Sequence, residues 1–237
     1  PDTGQEVFAS PPVATARLGW EVAVDGNTAV VGSPFEPSIG AAYVYVQSGG
    51  VWAQQQRLVD LTGVPGDFFG KSVDVDGDTI IVGSDKTSSG DGVAFVFTRT
   101  AGVWAEQQQL LATAATIHSV AVSGDVAIIG TNFNEAVFVY RRSSGVWSLE
   151  QTLTQPDTLT STFGRRVDVD GDTALIGTPG DDDGATDAGS AYLFRFNGSS
   201  WAFEDRLLAD DSASNRQFGW NVSLSGQTAV VSARFHL

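Results

Sequence analysis

The sequence predicts an all-β protein, a β-propeller of about five four-stranded blades, on three observations. A segment built around a tight glycine turn recurs along the chain, with Gly26, Gly77, Gly124, Gly171 and Gly226 spaced 51, 47, 47 and 55 residues apart, a period in the range of propeller blades. Each copy holds short apolar runs that alternate with polar residues. Glycine is abundant, at 27 residues, and aromatics make up 10% of the chain, as turns and pleated surfaces require.

The first two strands of each unit read from RLGWEVAVDGNTAVVGS (17–33), DFFGKSVDVDGDTIIVGS (67–84), TIHSVAVSGDVAIIGT (116–131) and TFGRRVDVDGDTALIGT (162–178), and a fifth start, QFGWNVSLSGQTAVVS (217–232), closes the series. Val22 and Val24 and their equivalents alternate with polar residues up to an Asp-Gly or Ser-Gly, and a β-branched run such as Thr28 to Val31 follows. That is a hairpin signature, and it predicts a type I′ turn with glycine at positive φ. A third strand follows as GAAYVYV, GVAFVFT, EAVFVYR and GSAYLFR, and a fourth as VWAQQQRL, VWAEQQQL, VWSLEQTL and SWAFEDRL. Tyr43, Phe95, Phe138 and Tyr192, with Trp52, Trp104, Trp147 and Trp201, recur once per unit, the pattern expected of aromatics buried between neighbouring blades. The other reading of these tryptophans is a stacking platform for sugar rings.

Phe69-Gly70, Phe163-Gly164 and Phe218-Gly219, followed beyond the hairpin by Val-Gly-Ser or Ile-Gly-Thr-Pro, resemble the FG-GAP repeats of bacterial surface proteins and of integrin α-subunit propellers. The resemblance covers nearly the whole chain. It implies a β-propeller, usually seven-bladed, that works outside the cell in adhesion or ligand recognition. Copy three departs from the pattern, with Ile117-His118 in place of Phe-Gly and no proline after Thr131.

One domain over residues 1–237 is expected, with repeats at approximately 17–66, 67–114, 115–160, 161–214, and 215–237 joined with 1–16. QEVFAS (5–10) aligns with the end of a fourth strand, as in QRLVDL (56–61) and DRLLAD (205–210). The two ends therefore hold strands one, two and four of a fifth blade, with its third strand unaccounted for. A ring closed between the termini and a segment of a longer array both remain open, and self-association through the incomplete blade follows from the second. The start at Pro1, without a signal-like segment, is expected of a processed or excised piece.

Charge and composition narrow the partners. Thirteen Lys and Arg against 28 Asp and Glu give a net charge of −15, which repels phosphate backbones and argues against nucleic acid. No apolar run reaches the roughly 18 residues of a membrane-spanning helix, so direct membrane insertion is not expected. With no cysteine, neither disulfides nor thiolate metal sites can form.

The longer connections all fall on one face, opposite the tight turns, and loops on a rigid scaffold are where binding concentrates. The most distinctive is TPGDDDGATDAGSAY (178–192), where Asp181, Asp182, Asp183 and Asp187 offer several hard oxygens in a short turn. These residues are the candidate calcium site. The hairpins VDVDGDT at 73–79 and 167–173 resemble integrin calcium loops but lack the closing carboxylate, so Asp74, Asp76, Asp168 and Asp170 read as solvent-facing strand positions. His118 and His236 sit in no catalytic motif, and no nucleophile elbow or phosphate-cradling loop is present. Asn197 and Asn221 begin glycosylation sequons.

The expected function is an extracellular, non-catalytic recognition or adhesion module binding a protein or glycan through the loop face. The alternatives are a structural repeat that docks with neighbouring chains and a carbohydrate-active enzyme that uses loop carboxylates.

Overall fold

The computed structural model describes residues 5–10, 17–85, 90–113, 115–132, 135–156, 162–183, 185–211 and 213–235. All regular structure among them is β. The first sheet holds β1 (Val22–Asp25), β2 (Thr28–Ser33), β3 (Ala41–Ser48) and β4 (Val51–Leu58); the second holds β5 (Ser72–Asp76), β6 (Thr79–Ser84), β7 (Gly92–Thr100) and β8 (Val103–Ala112). The third holds β9 (Thr116–Ser123), β10 (Val126–Asn132), β11 (Ala136–Ser143) and β12 (Val146–Thr154); the fourth holds β13 (Arg166–Asp170), β14 (Thr173–Thr178), β15 (Ser190–Phe196) and β16 (Trp201–Leu207). A two-stranded sheet, β17 (Phe218–Ser225) and β18 (Thr228–Ala233), completes the series. Within each sheet every strand pairing is antiparallel between chain neighbours, and isolated parallel bridges, Gly40 to Phe69 and Gly189 to Phe218, link successive blades. These are the blades of a β-propeller, four complete and a fifth in part, as the repeat predicts.

The chain divides into two compact units, residues 1–113 and 114–237, and the division falls at the boundary between the second and third repeats. Unit one holds the first two blades, and unit two holds the rest.

Turn chemistry separates the two hairpins of a blade. In β1–β2, Asp25 pairs with Thr28, so Gly26 and Asn27 form the loop, and Gly26 has φ +53° while Asn27 does not take positive φ. Positive φ at the first central residue alone is the II′ pattern, which corrects the I′ expectation. Gly77, Gly124, Gly171 and Gly226 repeat it. The I′ turns lie instead between strands three and four, where Gly49-Gly50, Ala101-Gly102 and Ser144-Gly145 hold positive φ at both positions.

Each of those outer pairs carries a bulge at the same place. Val44 pairs with Gln56 and Tyr45 with Gln54, leaving Gln55 as the extra residue; Glu150 is the extra residue in β12. A bulge turns two consecutive side chains toward one side, and here both reach the next blade. Gln56 Nε2 donates to the Trp104 carbonyl (2.7 Å) and its Oε1 accepts the Trp104 N–H (3.0 Å), while Gln55 Oε1 accepts the Trp104 indole N–H (2.9 Å). In unit two Gln151 clamps the Trp201 backbone with two 2.8 Å bonds, and Glu150 accepts the indole N–H at 2.8 Å.

The inner joint is made by glycines. A Cβ on Gly32 of β2 would collide with the carbonyl oxygen of Gly70 in the following blade, and Gly70, at φ +89°, leaves no room for a Cβ beside the Ala41 carbonyl. Gly130 meets Gly164, and Gly177 meets Gly219, in the same way. The aromatic before each motif glycine then fills the seam: Phe69 and Phe163 are fully buried, Phe69 against Phe95 (5.2 Å between centroids) and Phe163 against Tyr192 (5.7 Å). Ile117 is as deeply buried, so copy three keeps the apolar plug without the ring. Copy five has Ser232 where β2, β10 and β14 have the joint glycine.

The alignment of residues 5–10 with a fourth strand holds in one respect. Gln5 clamps the Trp52 backbone through two 2.6 Å bonds, as Gln56 clamps Trp104, although 5–10 forms no strand.

Two stability measurements check these assignments by chemical denaturation. Gly177→Ala should cost about 3 kcal/mol, because backbone on both sides of the joint must move. Ala101→Asn should gain about 1 kcal/mol, since Ala101 holds φ +50° in an I′ turn that favours asparagine.

Candidate functional site

The acidic loop of blade four is folded around its own carboxylates. Asp181 is fully buried and accepts from the Ser190 hydroxyl, the Tyr192 phenol (2.8 Å) and the Asp183 N–H (3.1 Å). Asp183 forms an ion pair with Arg206, Asp182 accepts the Asp187 N–H at 2.8 Å, and the Asp187 carbonyl accepts the Gln217 N–H at 3.0 Å. Among the described residues no group of three or more His, Asp or Glu side chains is arranged to hold a metal ion. Asp181, Asp182, Asp183 and Asp187 thus stand in one loop with their oxygens facing different partners.

Blade one builds the same device with a different acid. Glu36, buried in the β2–β3 connection, accepts from the Tyr43 phenol (2.6 Å) and from Arg57 (Nε at 2.9 Å). Tyr43 faces Arg57 in β3–β4 as Tyr192 faces Arg206 in β15–β16. Burial and then the neighbouring Glu36 carboxylate push the Tyr43 phenol above its ordinary pKa. A buried acid, a tyrosine and an arginine pin the loop to its blade in both copies. Glu36 and Asp181 are each the third residue after the second strand, in Gly-Ser-Pro-Phe-Glu and Gly-Thr-Pro-Gly-Asp, but they stand seven and eleven residues before their tyrosines, which hides the shared partner in the sequence.

The hairpin aspartates also have a structural task. Asp25 Oδ2 accepts the Gly77 N–H (2.7 Å) and Asp170 Oδ2 the Gly226 N–H (2.6 Å), each bracing the turn of the next blade, and Ser123 does the same for Gly171 (3.1 Å). Asp168 accepts from the Leu224 N–H at 2.6 Å and the Val169 N–H at 2.8 Å. The expectation of solvent-facing positions is therefore corrected: Asp74, Asp76, Asp168 and Asp170 are all half-buried, and Asp168 and Asp170 bond across the blade interface.

Of the two readings of the repeated tryptophans, packing is what the structure displays. Trp104, Trp147 and Trp201 are buried, and Arg99 and Arg142 stack on Trp104 and Trp147 at 4.9 and 5.0 Å. His118 lies on β9, half-buried, and His236 falls outside the described residues. Asn197 folds its own turn by accepting the N–H groups of Ser199 and Ser200, both at 3.0 Å, and Asn221 lies within β17.

A cluster of aromatics that reaches the surface lies elsewhere and begins at Trp20, the residue after the motif glycine Gly19. Trp20, 47% exposed, packs edge-on against Phe35 (5.1 Å), which meets Phe68 (5.5 Å), and Arg17 lies 4.5 Å over the Phe35 ring. Phe68 holds φ +53°, an uncommon conformation for a bulky side chain. Trp20, Phe35 and Phe68, together with Pro34, Lys71 and Asp85, line a depression of about 190 Å³ at the loop end of blades one and two. Lys71 and Asp85 form an ion pair at 2.7 Å, and burial raises the Asp85 pKa against the opposing pull of Lys71. In unit two Trp220 holds the corresponding position between Arg165 (3.8 Å) and Arg234 (4.1 Å). The sequence signal was available: Trp20 and Trp220 share a Gly-Trp step that the other copies lack.

A larger apolar depression, about 360 Å³, includes Val22, Val24, Val31, Tyr45 and Trp52. Its valines occupy positions that in blade two, as Val73, Val75 and Val82, are buried against blade one. It is a blade seat by chemistry, whereas the aromatic depression is built from residues that are not shared by every copy.

The sequence profile of the FG-GAP repeat matches residues 4–45, 52–97, 147–194 and 201–236. The chain belongs to the FG-GAP repeat family. The matched segments skip 98–146, which contains the Ile117-His118 variant, yet that copy builds the same four-stranded FG-GAP blade. No curated protein matches the chain. Among solved structures, the computationally designed Ika4 protein is similar in fold, at 15% identity and a TM-score of 0.53, covering 82% of this chain and 100% of its own.

The half-buried hairpin carboxylate offers a pH test. Burial raises the Asp168 pKa, against hydrogen bonds from Leu224 and Val169. A carboxyl whose pKa is higher in the folded state contributes most below the ordinary carboxylate range and loses that contribution as pH rises through the raised value. Asp168→Asn, which keeps an acceptor for Leu224, should remove that loss, and denaturation curves from pH 3 to 7 should show a smaller decline than the wild type.

Proposed function

We propose that this FG-GAP protein is a non-catalytic recognition module that acts at the cell surface or outside the cell and binds a protein or glycan through its loop face. The observation that carries the reading is the Trp20–Phe35–Phe68 depression with Lys71 and Asp85 among its lining residues. Exposed ring faces receive the apolar face of a sugar or an apolar side chain, and a neighbouring ammonium and carboxylate fix its orientation. The strand tryptophans are occupied in packing, and the loop carboxylates Glu36 and Asp181 are held by tyrosine and arginine or serine partners. These commitments favour binding over acid–base chemistry.

A second reading, a structural unit that docks with neighbouring chains, draws on the exposed valines of the blade seat in unit one and on the two-stranded sheet of unit two.

Screening glycan arrays and displayed peptides, with calcium and with chelator, tests the first reading. A ligand should be retained in both conditions, and Trp20→Ala or Phe35→Ala should weaken it about tenfold or more without changing the circular dichroism spectrum. Equal retention by wild type and both variants would overturn the assignment of the aromatic depression.

A further inference from the structure

In blades one and two, the residue after the motif glycine and the residue after the second strand meet in one depression. These places hold Trp20 and Lys71, Pro34 and Asp85, and Lys71 and Asp85 neutralise each other in an ion pair. In blades four and five the same places of the repeat hold Arg165 and Trp220, Pro179 and Arg234. The ammonium and the carboxylate are gone, and two guanidinium groups stand in this seam.

Both arginines are placed by the backbone and by one ring. The Arg165 N–H donates to the Thr162 carbonyl (3.0 Å), and the Phe235 N–H donates to the Arg216 carbonyl (3.2 Å), which fixes the segment that carries Arg234. The guanidinium carbons of Arg165 and Arg234 lie 3.8 and 4.1 Å from the centre of the Trp220 ring. Cation–π attraction holds each group over the ring without neutralising it. Trp220 thus gathers two like charges that repel each other.

Most other arginines are neutralised within the chain. Arg57, Arg99, Arg141, Arg142, Arg195 and Arg206 each pair with a carboxylate. Among the described residues no carboxylate pairs with Arg165 or Arg234, although the chain holds 28 Asp and Glu. Arg165 Nε is buried and has no hydrogen-bond partner among the described residues, a costly state for a donor on a charged group. Burial, then the charges of Arg166 and Arg234, push the Arg165 pKa down, yet a guanidinium keeps its proton at neutral pH. An anion at this place satisfies the donor and relieves the repulsion together.

The donor set selects the kind of anion. One arginine fork is matched by the two oxygens of one carboxylate, whereas two guanidinium groups offer more donors than a carboxylate engages and suit the three terminal oxygens of a tetrahedral ester. The net charge of −15 repels a polyanion, so the group arrives on a small ligand. We propose that Arg165 and Arg234, gathered by Trp220, form a binding site for a tetrahedral oxyanion, the sulfate or phosphate ester of a small ligand. The site is independent of the Trp20–Phe35–Phe68 depression and stands whether or not that depression binds.

Titrating the full chain with glucose 6-sulfate and with glucose 6-phosphate, at an ionic strength held constant with sodium chloride, tests the proposal through the Trp220 indole N–H resonance. A saturable shift is expected with at least one ester and none with glucose, and the ester that saturates at the lower concentration identifies the source of the oxyanion. Arg165→Gln, and Arg234→Gln at an exposed position, should each weaken binding about tenfold or more. Arg195→Gln removes the same charge from an arginine paired with Glu204 and should bind as the wild type does. No saturable shift with either ester would overturn the proposal. An equal loss in Arg195→Gln would overturn it too, because binding would then follow net charge and not this pair of arginines.

Discussion

The approach of backbone to backbone at the glycine joint sets the spacing on which the rest of each unit depends. Where Gly177 meets Gly219, or Gly32 meets Gly70, there is no volume for even one methyl group. That closeness lets Phe69 and Phe163 sink wholly into the seam, and it brings the inner strand of one blade within reach of the turn of another. The carboxylate bracing by Asp25 and Asp170 of the neighbouring glycine N–H would be out of range if the joint opened by an ångström or two. The motif that marks the family is therefore a packing constraint before it is anything else.

At the outer rim the same problem is solved with side chains. The blades diverge there, so contact requires reach, and the bulges at Gln55 and Glu150 turn two consecutive side chains toward the next blade. A glutamine that both donates to and accepts from one tryptophan backbone fixes register as well as distance, with each bond contributing about 1 kcal/mol. Between glycine joint and glutamine clamp, nearly every repeated polar or aromatic residue is consumed by blade-to-blade contact. What does not repeat in every copy is left out of that scheme, which is why the proposed recognition role rests on Trp20, Phe35 and Phe68 and not on Trp104 or Trp201.

The strands, their order and the partial fifth blade were legible in the sequence because period and alternation are properties of the chain alone. Turn type was only half legible: Asp-Gly signals a tight turn, but whether the aspartate ends the strand or enters the turn depends on strand register, and pairing of Asp25 with Thr28 moved the turn one residue on. The bulges were not legible, since the extra residue in VWAQQQRL is one glutamine among three. In the acidic loop, composition counts oxygens and not their partners, so the engagements of Asp181 and Asp183 were not legible. Tyr192 and Arg206, the residues that engage Asp181 and Asp183, lie in strands where each already has an ordinary role.

Blades one and four show how that loop evolves within its constraint. A buried carboxylate is costly unless it is fully hydrogen-bonded, so the tyrosine of the third strand and the arginine of the fourth act as a fixed receptor, and the loop can vary as long as it returns one acid to that place. Glu36 does so from a short connection with a longer side chain; Asp181 does so from a longer connection with a shorter one, and Arg206 turns to Asp183 instead. Copies without the tyrosine, such as blade two with Phe95, place their charge elsewhere, as the Lys71–Asp85 pair at the edge of the aromatic depression. In blade two, where phenylalanine stands in place of the tyrosine, the buried Asp85 pairs with Lys71 instead, and that pair lines the depression beside the exposed rings of Trp20 and Phe35.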